Sequence, residues 1–314
     1  MSTSATPPDA VLRRLEWTVL RRLDGLLHGD YRTLFRGSGL DFADLREYQF
    51  HDDVRHIDWN VTARLATPYV REFNEERDLT AWFLLDLSAS VDFGSATQRK
   101  SGVATELVAV LARALTRHGN RVGAMLYGHR VDTVIAPRSG RAQVLQLMHA
   151  MTTRGEHARA AANATRLGDL IAAAQHSVKR RALVFVVSDF VSAPGWQKPL
   201  AALAQRHDVV AVRLYDPLEQ ALPDLGMMLV EDAETGEQLF VDTHDRRFRR
   251  RFADIAARRE RALRQGLATA GVDTLELSTA DDLAEALMRF ADLRKRRARA
   301  SSSARLPAHL AAAR

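Results

Sequence analysis

The chain has 314 residues, 46% of them apolar and 27% charged, enough to bury one sizeable core and a smaller appendage. It contains no cysteine, which excludes disulfides and thiolate metal sites and fits a reducing compartment. The net charge of +6 is concentrated in the Arg-rich run 246–264 and in Arg294-Lys295-Arg296-Arg297, as suits a solvated basic helix face or an acidic or nucleic-acid partner.

The opening MSTSATPPDA is polar and Pro-rich without an apolar core, so it does not read as a secretory leader. No window approaches the roughly 18 consecutive apolar residues of a membrane span. A cytoplasmic protein with no membrane span is expected, with residues 1–8 disordered. From Asp9 to about His28, Leu12, Leu15, Val19, Leu23, Leu26 and Leu27 recur at helical spacing between arginines, which predicts an amphipathic helix. Gly37-Ser38-Gly39 marks a loop.

Asp41 to Asp78 is dense in charge and aromatic residues. His51, Asp52, Asp53, His56 and Asp58 invite a metal-site reading, but the two histidines are five apart and share no dictated ligand face. Arg–carboxylate pairing around Trp59 and Tyr48 accounts better for the composition. Segment 30–79 is expected to pack with a later hairpin as a small β subdomain.

From Thr80 the pattern changes. Ala81 to Leu85 is an apolar run short enough for a strand buried on both faces. It ends in Asp86-Leu87-Ser88-Ala89-Ser90, followed by a Gly94/Ser95 loop and a helix over Lys100–His118. Strands are predicted over Arg121–Tyr127 and Val131–Ala136 with a Gly128-His129 turn between them, and helices over Arg141–Thr152 and Leu167–Ser177 flanking a polar loop. Ala182 to Ser188 is a second fully apolar strand and ends at Asp189. A helix over Trp196–Arg206 and a strand over Asp208–Tyr215 follow. Met227–Val230 and Glu237–Val241 read as an inserted hairpin. A long basic helix from Asp245 to about Ala270, capped by Gly271, leads to a strand over Asp273–Leu277 and a closing helix over Ser278–Leu293. The tail 294–314 is basic, aperiodic from Arg296 and expected to be disordered.

Strands alternating with helices predict an α/β, doubly wound, mainly parallel sheet with a small appended β subdomain. The domain plan is a helix and charged segment over 9–79, then the sheet domain over 80–293 with a hairpin insertion at 217–243. If the two apolar strands flank the point where strand order reverses, Asp86 and Asp189 meet at one crevice. Hard cations such as Mg²⁺ take oxygen ligands of this kind.

These residues resemble the metal-ion-dependent adhesion site of von Willebrand factor A domains. The DxSxS pattern is present as Asp86, Ser88 and Ser90; the loop threonine of that family is matched by Thr165 in Thr165-Arg166-Leu167-Gly168-Asp169-Leu170, with Thr152 and Thr153 as competitors; the last aspartate is matched by Asp189. The resemblance implies Mg²⁺, with Mn²⁺ or Ca²⁺ as alternatives, bound through Ser88, Ser90 and Thr165 directly or through water. Asp86 and Asp189 would hold its waters, and one coordination position would be open to a partner's carboxylate. Phe190 stands where many members have Gly.

The run Leu45-Arg46-Glu47-Tyr48-Gln49-Phe50-His51-Asp52-Asp53-Val54-Arg55-His56-Ile57-Asp58-Trp59, followed by Thr62-Ala63-Arg64, resembles the signature of the domain-of-unknown-function 58 family, with His51 where the pattern usually has Gly. That resemblance covers roughly residues 30–293 and implies partnership with a MoxR-type AAA+ ATPase. A non-enzymatic, metal-dependent protein-binding module is the expectation, acting with such an ATPase or with a client protein offering an acidic residue, and taking no small-molecule substrate. Two alternatives stand beside it. One is nucleic-acid binding through the basic helix and tail, which lacks a stacking pattern. The other is a degenerate phosphate loop at Gly94-Ser95-Ala96-Thr97-Gln98-Arg99-Lys100-Ser101, where Arg99 replaces the second required Gly. No G-x-S-x-G nucleophile elbow is present.

Overall fold

A computed structural model describes residues 40–49, 52, 54, 57–75, 79–95, 98–128, 130–158, 165–231 and 237–303. The helix expected over 9–28 lies outside them. The chain divides into two compact units, one within Arg36–Leu79 and one from Thr80 onward.

In the first unit, β1 (Leu40–Glu47) pairs antiparallel with β2 (Tyr69–Glu75), with a register shift between Phe42 and Asp44. Between them lies the short helix α1 (Trp59–Leu65). Asp58 starts α1 because its carboxylate accepts the orphan N–H groups of Asn60 at 3.0 Å and Val61 at 3.2 Å, the usual contribution of an aspartate N-cap. Arg46 closes the preceding loop with a two-pronged bond to Asp52, at 2.7 and 2.8 Å. Among the described residues this is one Arg–carboxylate pair of the kind anticipated from the segment's composition. Trp59, however, is exposed and is not the centre of that pairing.

In the second unit a six-stranded sheet is built from β3 (Thr80–Asp86), β4 (Arg121–Tyr127), β5 (Val131–Arg138), β6 (Leu183–Ser188), β7 (Asp208–Tyr215) and β10 (Asp273–Ser278). Its order is β10-β7-β6-β3-β4-β5, and all pairs are parallel except β4 with the edge strand β5. This is the doubly wound order in which the chain starts in the middle and winds outward both ways. The central strands β3 and β6 are buried along nearly their whole length, which explains their unbroken apolar runs.

Helices cover both faces. On one, Trp82 and Leu84 of β3 and Val184 and Val186 of β6 pack with α4 (Leu167–Ser177), α5 (Gln197–Arg206) and the end of α6 (Arg246–Ala270). Alternate residues face the other way, where Phe83 and Phe185 stack at 5.1 Å. On crossovers lie α2 (Lys100–Arg117) and α3 (Arg141–Ala158). Each fully buried Leu, Val or Phe of this core contributes about 1.5–3 kcal/mol.

The small β elements form two separate sheets, and two expectations about element bounds are corrected. The hairpin β8 (Met227–Glu231) with β9 (Gln238–Asp242) forms its own two-stranded sheet in the second unit, while β1 and β2 form another in the first, so segment 30–79 and the hairpin do not share a sheet. Helix α3 runs to Ala158 rather than ending at Thr152. The closing helix α7 spans Leu283–Ser303, so the tail is helical well past Leu293. The reason is charge pairing: Arg294 reaches Asp208 at 2.5 Å and Asp273 at 3.0 Å, and Arg297 reaches Asp273 at 3.0 Å. Basic residues that read as a solvated tail are anchored to carboxylates at the starts of β7 and β10.

Candidate metal-binding crevice at the sheet's reversal point

Strands β3 and β6 are hydrogen-bonded neighbours, and the strand order reverses between them. Asp86 closes β3 and Asp189 follows the last residue of β6. Two buried carboxylates thus sit side by side at the carboxyl end of the sheet, where doubly wound folds place their ligands.

Asp86 is 1% exposed. One carboxylate oxygen accepts the backbone N–H of Ser88 at 3.0 Å and the other the hydroxyl of Ser188 at 2.7 Å. Burial, then the charge of Asp189, push its pKa up to about 6, against the pull of the Ser188 and Ser88 hydrogen bonds. The Ser88 and Ser90 hydroxyls are 3.2 Å apart, because a short 3-10 turn over Ala89–Asp92 curls the chain directly after β3.

Thr165 is buried as well and arrives by a separate route. Its carbonyl accepts the N–H of Ala193 at 2.9 Å and the Ser192 hydroxyl at 3.0 Å, which ties its loop to the turn after Asp189. The next residue, Arg166, donates its N–H to the Tyr127 hydroxyl at 3.0 Å, and Tyr127 pairs with Asp86 in the sheet register. The loop is thereby fastened to both neighbours of β3. The competitor Thr152 is exposed within α3 and donates its hydroxyl back to Met148 at 3.1 Å; Thr153 lies on the same helix, also exposed.

Phe190 takes a backbone conformation that glycine adopts without a steric cost. Its φ is +58°, a left-handed conformation that costs a residue with a Cβ roughly 1–2 kcal/mol. The ring offsets that cost by being buried edge-on against Trp196, 5.2 Å between centroids, and the N–H is satisfied by the Ser188 hydroxyl at 2.9 Å.

Four contributors were not visible as such in the sequence. Ser188 joins the two strand ends. Lys100, the first residue of α2, is 1% exposed and donates to Asp189 at 2.8 Å and Glu219 at 2.5 Å. Burial alone would lower its pKa, but the charges of Asp189 and Glu219 outweigh that and hold it above the ordinary lysine value. Glu219 belongs to a capping box with Asp216 over the short turn Pro217–Glu219. Asp216 is fully buried and accepts the Ser95 hydroxyl and the Thr279 hydroxyl, each at 2.6 Å. The signal for Lys100 was its place beside the Gly94 loop, which also suggested a phosphate loop; its ammonium instead points into the carboxylates. A Cβ on Gly94 would stand 2.5 Å from the Gln98 carbonyl, so this glycine serves close packing of the loop.

The donor chemistry fits a hard divalent cation: the Ser88 and Ser90 hydroxyls lie together beside two buried carboxylates, one of them carrying a raised pKa that a cation would relieve, and Thr165 is buried on the loop fastened to the neighbouring strands. Of the second cluster considered, His51, Asp53 and His56 lie outside the described residues. Asp52 and Asp58 are engaged with Arg46 and with the start of α1.

The strand order and the helices on both faces define a doubly wound, mainly parallel α/β domain. The chain belongs to the family described as "Protein of unknown function DUF58", whose model matches residues 44–262. It is 36% identical over 292 residues, 91% of this chain and 90% of theirs, to the uncharacterized proteins Rv1480 of Mycobacterium tuberculosis and Mb1516 of Mycobacterium bovis. Among solved structures it overlaps BatB of Bacteroides thetaiotaomicron over 69% of this chain and 99% of that one, at 13% identity and a TM-score of 0.43. The SpRpn10 VWA domain overlaps 67% of this chain and 93% of its own, at 14% identity and a TM-score of 0.36. The strand order, rather than these overlaps, defines the architecture. Among the described residues no helix is long and apolar enough to cross a membrane.

Proposed function

We propose that the chain is a non-enzymatic, metal-dependent protein-binding module. Ser88, Ser90 and Thr165 would hold Mg²⁺, with Asp86 and Asp189 positioning its waters, and a bound cation would offer an open coordination position to a partner's carboxylate. The observation that carries this reading is the meeting of Asp86 and Asp189 at the reversal point, with the Ser88 and Ser90 hydroxyls turned together beside them.

An acidic partner suits the surface. Helix α6 presents Arg247, Arg250, Arg258 and Arg261 as exposed residues at helical spacing, and a basic ridge of this kind raises the encounter rate with acidic surfaces. The family signature adds a MoxR-type AAA+ ATPase, or one of its clients, as the partner class. The proposed compartment is the cytoplasm.

The test is binding of an immobilised MoxR-type ATPase to the purified chain in Mg²⁺ and in EDTA, with wild type and the Asp86→Ala/Ser88→Ala double variant. Capture by wild type in Mg²⁺ alone supports the reading. Capture that survives EDTA and both substitutions contradicts it.

A further inference from the structure

Lys100 is the one buried lysine among the described residues, and nothing in the binding function above requires it. Its ammonium lies between the Asp189 and Glu219 carboxylates, with the Phe93 ring 5.9 Å away. At 1% exposure its ammonium is not presented at the surface to a partner's carboxylate. Its charge acts inward, on Asp189.

Glu219 is held where it is by independent contacts. Its second oxygen accepts the N–H of Asp216 at 3.0 Å, and Asp216 is fixed by Ser95, Thr279 and Leu218. The loop that precedes Lys100 and the turn beyond β7 are thus clamped together, with the lysine emerging between the clamp and the crevice. Asp86, Asp189 and Glu219 outnumber Lys100 around the crevice, and Asp216 adds a buried carboxylate behind Glu219.

Resting on the metal-site reading above, we infer that Lys100 is a tethered counter-ion that competes with the divalent cation for Asp189, and that Glu219 moderates the competition by drawing off part of the ammonium's charge. The pair sets the metal affinity of the crevice. An ammonium bonded directly to a carboxylate that also serves a dication opposes that dication's binding, and removing or unbalancing a unit charge a few ångströms away in a protein interior changes affinity by at least about ten-fold.

The inference gives two substitutions opposite signs. Lys100→Met keeps the length of the side chain and removes its charge; Glu219→Gln keeps the shape, removes the charge and leaves one of the two accepting oxygens. Mn²⁺ affinity of the full chain is measured by electron paramagnetic resonance titration, with circular dichroism melting of each variant. Lys100→Met binding Mn²⁺ at least ten-fold tighter, and Glu219→Gln at least ten-fold weaker, supports the inference. Both variants weakening alike, or neither changing, overturns it and leaves the metal-site reading standing. Mn²⁺ binding by Lys100→Met but not by wild type supports the inference and overturns metal dependence of the native chain. No binding by any of the three overturns both. Should Lys100→Met fail to fold, Lys100→Gln takes its place: Mn²⁺ affinity raised at least ten-fold supports the inference, and unchanged or weakened affinity overturns it.

Discussion

Ser188 donates its hydroxyl to Asp86 at 2.7 Å across the boundary between β6 and β3. That bond joins the ends of the two central strands at the point where the winding reverses, and it holds a buried carboxylate beside a second one. An arrangement that concentrates negative charge away from water is costly unless a cation answers it.

Removing that charge separates metal binding from folding. In EDTA, Asp86→Asn is expected to unfold within about 1 kcal/mol of wild type, because the lost hydrogen bond is offset by the relief of burying one charge fewer. In Mg²⁺, wild type gains stability by mass action and the variant does not. Denaturant unfolding with and without Mg²⁺ checks this; an equal Mg²⁺ gain in both proteins contradicts the role given to Asp86.

The left-handed backbone of Phe190 gives an unusual ranking of substitutions. Phe190→Ala forfeits the ring packing on Trp196, about 3 kcal/mol or more, and keeps the strained φ of +58°. Phe190→Gly forfeits the same packing but relaxes the backbone. Urea unfolding should therefore find the glycine variant more stable than the alanine variant by roughly 1 kcal/mol.

Asp216 supplies the pH dependence of the clamp. Burial would raise its pKa, but the hydrogen bonds from Ser95, Thr279 and Leu218 outweigh burial and hold it below the ordinary aspartate value of 3.8. A depressed folded-state pKa contributes stability that is present above the unfolded value and lost as pH falls through the folded one. Asp216→Asn should cost about 2–3 kcal/mol at pH 7, and its deficit relative to wild type should shrink as the pH drops below about 4. A deficit independent of pH contradicts this account.

In the first unit, Asp58→Ala removes the N-cap of α1 and should cost about 1 kcal/mol. The local signature is faster amide exchange at Asn60 and Val61, whose N–H groups lose their acceptor; protection unchanged at both amides contradicts the capping role.

The central place of two strands was legible from the sequence because Ala81–Leu85 and Ala182–Val187 are apolar without alternation, which only strands covered on both faces sustain. Their terminal aspartates then followed by position. What was not legible depends on partners distant in sequence. Lys100 meets Asp189 and Glu219 across 89 and 119 residues, and no local pattern marks an ammonium that is drawn inward. Arg294 and Arg297 read as a solvated tail because Asp208 and Asp273 lie far back in the chain. Phe190 hid a positive φ that a glycine would have announced.

The central claim, a cation held at the end of β3, is tested most directly by the anomalous difference map of crystals soaked in MnCl₂. A peak bounded by the Ser88, Ser90 and Thr165 hydroxyls, and absent from Asp86→Ala/Ser88→Ala crystals, is predicted. A crevice without a peak, or manganese bound instead along 51–58, would contradict the account.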